Sequence, residues 1–510
     1  MSDWSHGYNV SMGYSYGFYR EMAPDWLDFC AWIGGFEPPR RAGRPFRYLE
    51  LGCGQGFGLC LLAAANSGAE FLGVDFQPEH IEHATGLAEA AGLKNVRFVR
   101  ADFLDLAAEW PADFGAFDYV TMHGIVSYLS PPLLAAIVEC LSHAVAPGGF
   151  VYVSYNTQPG FLSTVPLQHF AHRLKETTGA PGAGAVKQSV ALLERLRAAN
   201  ALAFQVLPTL PAKLESLKSR DDNYLVHEYL TESWNLFWHS DVSRHFAAAG
   251  LDFTASATLA DNLVREFLPA ALSQPIMEQS SEKVRQDLQD FVVNQAFRRD
   301  IFCRGAQPRA SGGGSWDETP VHAAATVIRG RSMSFGTSFG QIEWAPEVFA
   351  AILEAVRDGP KPLGELFRLP RTTQWMPRHV LLLLFHANVL APEAAEQGDP
   401  APAQRLNAAI ARAVSDGAPY DHLAAPRLGS GIRTGDVELM LLDAWLETGG
   451  DAAAAELAVG LDRRLTKLGR NLQRQGEPVD EAGLAAELQT VATAFLETTV
   501  PLWRRVGAIR

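Results

Sequence analysis

Short apolar stretches alternate with longer amphipathic ones between residues 45 and 160. Five stretches of strand length predict β-strands at residues 48–51, 70–75, 96–99, 117–122 and 150–154. Between them, small and apolar residues at helical spacing predict helices at residues 57–67, 78–91 and 131–144. This alternation predicts an α/β fold in which helices cover both faces of a parallel sheet.

The alternation stops after the fifth strand. A helical stretch at residues 186–200 belongs to an insert, residues 159–219, which suits either a lid above the strand ends or a packing element. A sixth strand is predicted at residues 251–257, a mostly helical stretch at 264–294, and a seventh strand at 299–304. We expect the seventh strand to close the edge of the sheet.

The last 200 residues have a different pattern, which breaker-rich segments at residues 307–319 and 392–402 divide. A hairpin at residues 333–344 and helices at 346–357, 362–367 and 378–387 predict a winged-helix-like module. The alanine-rich tail is predicted to be helical. Its apolar stripe suits a core or a dimer face and comprises Val437, Leu439, Leu441, Leu442, Trp445 and Leu446.

Composition narrows the classes of protein. The chain has 510 residues, of which 47% are hydrophobic, so several cores are expected. A net charge of −14 without a basic run argues against nucleic-acid binding. Five cysteines without a C-x-x-C pair argue against a disulfide framework and a metal site. No secretory signal and no bilayer-length apolar run are present, so we expect a cytoplasmic protein without membrane insertion.

The most informative motif follows the first predicted strand, where Glu50 precedes Gly52, Gly54 and Gly56. Glycine at alternate positions lets the backbone turn sharply and approach a ligand closely. A dinucleotide site has the spacing G-x-G-x-x-G, which places a pyrophosphate at a helix N-terminus. The spacing here differs, and the preceding acid suits the cationic amino group of S-adenosylmethionine.

Two further acids follow predicted strands in the order that such a site requires. Asp75, with Phe76 after it, ends the second strand, where doubly wound folds bind ribose hydroxyls. Asp102 and Phe103 follow the third strand, where a carboxylate can accept a hydrogen bond from an adenine amino group and an aromatic ring can cover its face.

This ordered set resembles the class I S-adenosylmethionine-dependent methyltransferases over about residues 45–160. The resemblance implies a Rossmann-like seven-stranded sheet and S-adenosylmethionine as the cofactor. It also implies that Glu50 and the three glycines hold the methionine end, that Asp75 binds the ribose, and that Asp102 and Phe103 bind the adenine.

A second resemblance covers about residues 115–305. The segments that carry it are Tyr155-Asn156-Thr157, Pro159-Gly160-Phe161, His227-Glu228-Tyr229-Leu230 and Phe297-Arg298-Arg299-Asp300. They resemble bacterial methyltransferases with a methyltransferase regulatory domain, among them the rickettsial protein-lysine methyltransferases. Phe161 departs from the tryptophan that is usual in that family. The resemblance implies methyl transfer to a protein lysine.

Five units are therefore predicted. They are an N-terminal aromatic cap segment (1–44), an S-adenosylmethionine-binding core (45–160), a helical insert and regulatory region that completes the sheet (161–306), a winged-helix-like module (320–392) and a helical C-terminal domain (403–510). The cap segment either folds over the cofactor or packs on the sheet as an ordinary helix. Its aromatic residues are Trp4, Tyr8, Tyr14, Tyr16, Phe18, Tyr19, Trp26 and Phe29.

Methyl transfer from a sulfonium is an in-line displacement, so a site of this kind must align the nucleophile and exclude water. A lysine amine must also lose a proton, which an apolar aromatic pocket favours by lowering its pKa. Residues after the fourth and fifth strands are the candidate catalytic groups: His123, Tyr155 and Asn156. His227 and Glu228 are further candidates, and a structural role suits each of the five equally well.

Three functions stay open at this point. The favoured one is protein-lysine N-methylation, and the second is O- or N-methylation of a small molecule. The third is a non-catalytic interaction protein built on a methyltransferase scaffold. The expected partner is accordingly a protein substrate or a small-molecule acceptor, and the helical tail makes a homodimer a further possibility.

Overall fold

The computed structural model describes residues 16–39, 45–180, 182–309, 316–324, 332–370, 375–474 and 477–510. Some of the predicted features lie outside these residues. They are Trp4, Tyr8 and Tyr14 of the aromatic segment and the glycine-rich residues 311–315 of the first linker.

The central sheet has seven strands, in the order β3-β2-β1-β4-β5-β7-β6. They are β1 (Arg47–Leu51), β2 (Glu70–Asp75), β3 (Val96–Arg100), β4 (Phe117–Met122), β5 (Val145–Asn156), β6 (Leu251–Ser256) and β7 (Phe297–Arg304). The first five run parallel, and β7 is antiparallel to both of its neighbours. The predicted seven-stranded α/β sheet is thereby confirmed.

One detail of the predicted topology is wrong, because β7 does not close the sheet. It pairs with β5 from Asn156↔Phe297 to Phe150↔Cys303, and β6 forms the edge beyond it. The burial of their side chains agrees with an interior position for β7 and an edge position for β6. Ile301 and Phe302 of β7 are fully buried, as is usual for an interior strand, whereas Asp252 of β6 is exposed.

Fourteen helices of the described chain belong to the sheet region and its insert. They are α1 (Pro24–Ile33), α2 (Phe57–Ala65), α3 (Pro78–Ala90), α4 (Phe103–Ala108), α5 (Pro131–Ala144), α6 (Val165–Thr178), α7 (Gly184–Ala198), α8 (Ala203–Val206), α9 (Leu210–Leu217), α10 (Asp222–Tyr229), α11 (His239–Ala247), α12 (Val264–Phe267), α13 (Ala270–Met277) and α14 (Glu282–Val293). Short 3₁₀ turns lie at Arg20–Met22, Val126–Tyr128, Gly160–Thr164 and Leu259–Leu263. Among the described residues, no helix has the length and apolar character that crossing a bilayer requires.

Two apolar layers cover the sheet. Helices α4, α5 and α11 pack on one face, and α1, α2 and α3 pack on the other. Helices α6, α7 and α9 of the insert share a small core with α10, which follows the insert. Because α10 also reaches the loop that follows β4, this group of helices contacts the carboxyl end of the sheet.

The C-terminal part begins with strands and ends with helices. Its elements are β8 (Pro320–Ala323), β9 (Met333–Thr337), β10 (Gly340–Trp344), α15 (Pro346–Ala355), β11 (Lys361–Pro362), α16 (Leu363–Phe367), α17 (Pro377–His386), β12 (Leu390–Pro392), α18 (Ala401–Ser415), β13 (His422–Ala425), β14 (Ser430–Arg433), α19 (Asp436–Glu447), α20 (Ala454–Lys467), β15 (Gln473–Arg474), β16 (Glu477–Pro478), α21 (Glu481–Ala494), a π-helix (Phe495–Thr499) and α22 (Val500–Arg505). The β9–β10 hairpin and the three helices after it occur where the sequence predicts them. The β13–β14 hairpin was not predicted, because the prediction treated the tail as helical throughout.

A continuous apolar core joins the sheet to the C-terminal helices. Trp316, at the end of the predicted linker, is buried with its ring centroid 5.3 Å from that of Phe29 and 5.8 Å from that of Trp32. Within the apolar stripe of the tail, Leu439, Leu441, Leu442 and Trp445 are buried in the same core. Most of the stripe is therefore core, and the division into five units stays a prediction.

Candidate active site

The glycine loop between β1 and α2 has the backbone geometry that its sequence predicts. Gly52, Gly54 and Gly56 have φ angles of 76°, 51° and 69°, in the left-handed region that favours glycine. A Cβ on Gly52 would lie 2.4 Å from Cδ1 of Ile125, and one on Gly56 would lie 2.3 Å from Cβ of Ala84. The loop therefore needs glycine both for its turn and for its close packing.

Glu50 stands at the carboxyl end of β1, between β2 and β4. Its side chain is buried but lines a cavity beside the glycine loop. Within the described chain its carboxylate makes no hydrogen bond or ion pair. Burial, with a further contribution from the charge of Asp75, raises the pKa of Glu50 to about 8. A buried acid without a partner at a cavity wall fits a ligand that brings a positive charge.

Asp75, at the end of β2, is held by the backbone on both sides. One of its oxygens accepts from the Gly54 amide at 2.9 Å and the other from the Gln77 amide at 2.9 Å. The His80 ring lies 3.3 Å away. The side-chain nitrogen of Gln77 is buried at a cavity that adjoins the one lined by Glu50, and it has no hydrogen-bond partner in the described residues. Gln77 thus offers a free donor beside a fixed carboxylate.

The predicted cofactor-binding residues line two adjoining cavities that share Gly52, Gly54 and His123. The first cavity contains Asp75, Phe76, Gln77, Asp102 and Phe103. The second contains Glu50 and Gly56. Asp102 also caps α4, because it accepts a hydrogen bond from the Leu104 amide at 2.8 Å. The fold therefore brings every predicted cofactor-binding residue to one place.

His123 occupies the junction of these two cavities. Its Nδ1 lies 2.8 Å from the hydroxyl of Tyr152, and its ring stacks on Tyr19 with the centroids 3.6 Å apart. Phe297 meets the same ring edge-on, with the centroids 5.9 Å apart. Burial, and secondarily the charge of Arg299, lowers the pKa of His123 well below its ordinary value. This imidazole is neutral near pH 7.

Tyr155 does not reach either cavity, which corrects the expectation that it acts in catalysis. Its fully buried hydroxyl donates to Asp300 at 2.5 Å, and Asp300 is also bound by Arg298 and His239. The alternation of side chains along β5 explains the placement. Tyr152 faces His123, and Tyr155, three residues later, faces the opposite apolar layer.

Asn156 lines neither cavity, but its side chain contacts Tyr128, which lines one of them. Its side-chain amide donates to the Tyr128 hydroxyl and to Glu228, each at 3.2 Å. The Tyr128 hydroxyl in turn donates to Glu228 at 2.8 Å, and Tyr128 lines the cavity. Burial raises the pKa of Glu228. Asn156 and Glu228 therefore position Tyr128, while His227 is buried and lines neither cavity.

Three residues that line the site, Tyr19, Gln77 and Tyr128, were not selected from the sequence. Gln77 carried a usable signal, because it is a polar residue two positions after the acid of the second strand. Tyr19 belonged to the aromatic segment but was not singled out. Tyr128 carried no local signal, because its role depends on α10, which is distant in sequence.

Family comparisons agree with this geometry. A family model described as a methyltransferase domain matches residues 49–151, and one described as a predicted methyltransferase regulatory domain matches residues 221–304. The chain is a class I S-adenosylmethionine-dependent methyltransferase with a methyltransferase regulatory domain, and S-adenosylmethionine is its cofactor.

Individual relatives extend the likeness beyond these two regions. An uncharacterized protein of Synechocystis sp. is 29% identical over 518 residues, which cover 99% of each chain. A tRNA (guanine-N(7)-)-methyltransferase of Chloroflexus aurantiacus is 30% identical over 130 residues, or 22% of this chain and 55% of that protein. The structure of PKMT2 from Rickettsia typhi in complex with AdoHcy is similar with a TM-score of 0.69 and 18% identity, and covers 97% of this chain and 99% of that one. At this identity, the likeness to PKMT2 shows a shared fold over nearly the whole length.

Proposed function

We propose that this methyltransferase acts on the ε-amino group of lysine in a protein substrate. The observation that carries the proposal is a cluster of aromatic rings beside the glycine loop, in which Tyr19, Tyr152 and Phe297 contact the ring of His123. In our proposal this cluster forms an aromatic passage for the acceptor. Tyr19 borders both the cavity at that loop and a large outer cleft. A long side chain could therefore extend from the cleft toward the methyl donor.

The residues of the two cavities fit S-adenosylmethionine, which supplies an electrophilic methyl group on a sulfonium. Glu50 would pair with its amino group, because the carboxylate is buried and has no partner among the described residues. Asp75 would accept from the ribose hydroxyls, and Asp102 with Phe103 would bind the adenine. Gln77 would donate its free amide hydrogen to the same ligand.

The passage provides what an amine nucleophile requires. Aromatic faces attract an incoming ammonium, and removal from water lowers the pKa of the amine so that it releases its proton. Because His123 stays neutral, it does not repel the cation and can hydrogen-bond the acceptor nitrogen. In our proposal His123 holds that nitrogen in line with the methyl group, an alignment that can contribute up to about 7–11 kcal/mol in such reactions.

The resemblance of residues 115–305 to rickettsial protein-lysine methyltransferases supports a lysine acceptor. The fold shared with PKMT2 over nearly the whole chain supports the same choice. The likeness to tRNA and ubiquinone-biosynthesis methyltransferases covers only about a fifth of the chain, so it supports those acceptors less.

The test is a methyl-transfer assay with labelled S-adenosylmethionine and a fractionated lysate of the source organism. We expect label in protein, at lysine residues identified by mass spectrometry after digestion, and a much slower incorporation of label with His123→Asn. Label confined to the small-molecule fraction would overturn the lysine proposal in favour of a metabolite acceptor. A matched lysate incubated without the enzyme corrects for endogenous transfer.

A further inference from the structure

The outer cleft beside the active site has a volume of about 850 Å³. Distant parts of the chain build it: residues 16–26, residues 386–392 and the hairpin region 421–433, together with Arg220, Ala324, Phe335 and Gly336. The two inner cavities are much smaller, at about 90 and 50 Å³. A wide outer space that leads to a narrow inner one suits a slender side chain that projects from a polymer.

Glu21 lies in the wall of this cleft, two residues after Tyr19. Tyr19 lines both the cleft and the inner cavity, so Glu21 is close to the point where the two meet. The Glu21 side chain is half-buried. Its carboxylate makes no hydrogen bond or ion pair with the described residues. An anionic group is thus available at the entrance to the passage.

The other acids of the described cleft wall are already bound. Asp25 accepts from the Ala395 amide at 2.9 Å. Asp421 lies 2.6 Å from the ring of His422 and 3.9 Å from Arg433. Glu21 is therefore the acid of this wall that can receive a cation from outside.

None of the described cations forms an ion pair with Glu21, although Arg20, Arg220 and Arg433 line the same cleft. Arg20 donates to the carbonyl oxygens of Phe385 and His386 and to the Asn388 side chain, at 2.6 to 3.3 Å. The charge of Glu21 raises the pKa of Arg299, but the Arg299 guanidinium donates its hydrogen bond to the Thr258 hydroxyl.

We propose that the outer cleft binds an extended, lysine-bearing segment of the substrate protein, and that Glu21 binds the lysine ammonium at the entrance to the passage. This inference rests on the proposed function and deepens it, because it names the surface and the residue that select the acceptor. It also gives the C-terminal part of the chain a role, since residues 386–392 and 421–433 would contact the substrate backbone.

Calorimetric titration of pentalysine into the full-length protein loaded with S-adenosylhomocysteine tests the inference. We expect binding by the wild type and about tenfold weaker binding by Glu21→Gln, the size expected when one charge-assisted hydrogen bond is lost. Glu497→Gln removes an exposed carboxylate that lines none of these cavities, and it should bind like the wild type. Fully acetylated pentalysine, which has no ammonium groups, should not bind.

Two outcomes would overturn the inference: no binding of pentalysine by the wild type, or equal affinities for wild type and Glu21→Gln. Equal affinity for S-adenosylhomocysteine in the two proteins verifies that Glu21→Gln is folded, because Glu21 lines neither cofactor cavity. The proposed function is judged separately by the lysate assay. Lysine methylation there, with Glu21→Gln as active as the wild type, would reject the role of Glu21 and leave lysine methylation standing.

Discussion

The affinity of this enzyme for its cofactor should depend on pH through Glu50. In the free protein the pKa of Glu50 is raised to about 8, by burial first and by the charge of Asp75 second. In the complex, a ligand ammonium beside the carboxylate favours the ionised form. Binding near neutral pH must therefore expel a proton from Glu50, and affinity must fall as the pH falls below 8.

The magnitude follows from the pKa. At pH 7 about nine-tenths of the free protein carries the Glu50 proton, so affinity should be about tenfold weaker than its limit above pH 8. At pH 6 it should be about 100-fold weaker, since each pH unit corresponds to about 1.36 kcal/mol. About 0.9 proton should be released on binding at pH 7.

Calorimetry of S-adenosylhomocysteine binding at pH 6, 7 and 8, in two buffers that differ in ionisation enthalpy, measures both quantities. Glu50→Gln should bind more weakly at pH 8 and lose the pH dependence. Glu70→Gln, an exposed carboxylate at the start of β2, should keep it. A wild-type affinity that is constant from pH 6 to 8, with no proton release, would refute the reasoning.

The raised pKa of Glu50 also affects the stability of the protein without its cofactor. The folded pKa of about 8 exceeds the ordinary value of 4.5, so between these pH values the folded state holds a proton that the unfolded state has released. Stability should therefore fall as pH rises through this window. Glu50→Gln should accordingly unfold at a higher temperature than the wild type at pH 8, although it binds the cofactor less well.

Three substitutions test other parts of the site. Gly56→Ala should lower the free energy of unfolding by roughly 2–5 kcal/mol in denaturant titrations, because the alanine would be strained in the left-handed conformation and would overlap Ala84. The control is Gly68→Ala, where a Cβ would lie in open space, and it should change the free energy of unfolding by less than about 0.5 kcal/mol. Tyr155→Phe should cost about 1–3 kcal/mol in the same titrations because it removes a buried hydrogen bond. Its kcat should stay within a few-fold of the wild type, and a large loss would restore Tyr155 as a catalytic candidate. His123→Asn should lower kcat by about 10- to 100-fold while the KM for the cofactor changes far less; an unchanged kcat would remove His123 from the proposed mechanism.

Local sequence was sufficient for the cofactor-binding part of the fold. The apolar periods placed β1–β5 and the helices α2, α3 and α5, because short buried strands and amphipathic helices differ in period. The acids Glu50, Asp75 and Asp102 were found for a related reason. In a parallel sheet, consecutive strand ends meet at one edge, so their order along the chain suffices to bring them together.

Sequence was less informative wherever a role depends on which way a side chain points. Tyr152 and Tyr155 both belong to β5 and look equally suitable, yet the alternation of the strand sends one to His123 and the other to Asp300. Similarly, nothing local distinguishes Asn156 as the partner of Tyr128 rather than as a group that contacts the substrate.

By itself, then, the sequence determined the five parallel strands β1–β5, the glycine loop and the acids around the cofactor, since each depends on residues close together along the chain. Only the tertiary structure decided which residues line the outer cleft, where we propose that the acceptor enters. The outer cleft joins residue 21 to residues near 386 and 430, whose contacts are set by a core that spans the whole chain. No periodicity or motif encodes such long-range packing, because it depends on how the helices and strands fit against one another after they have formed.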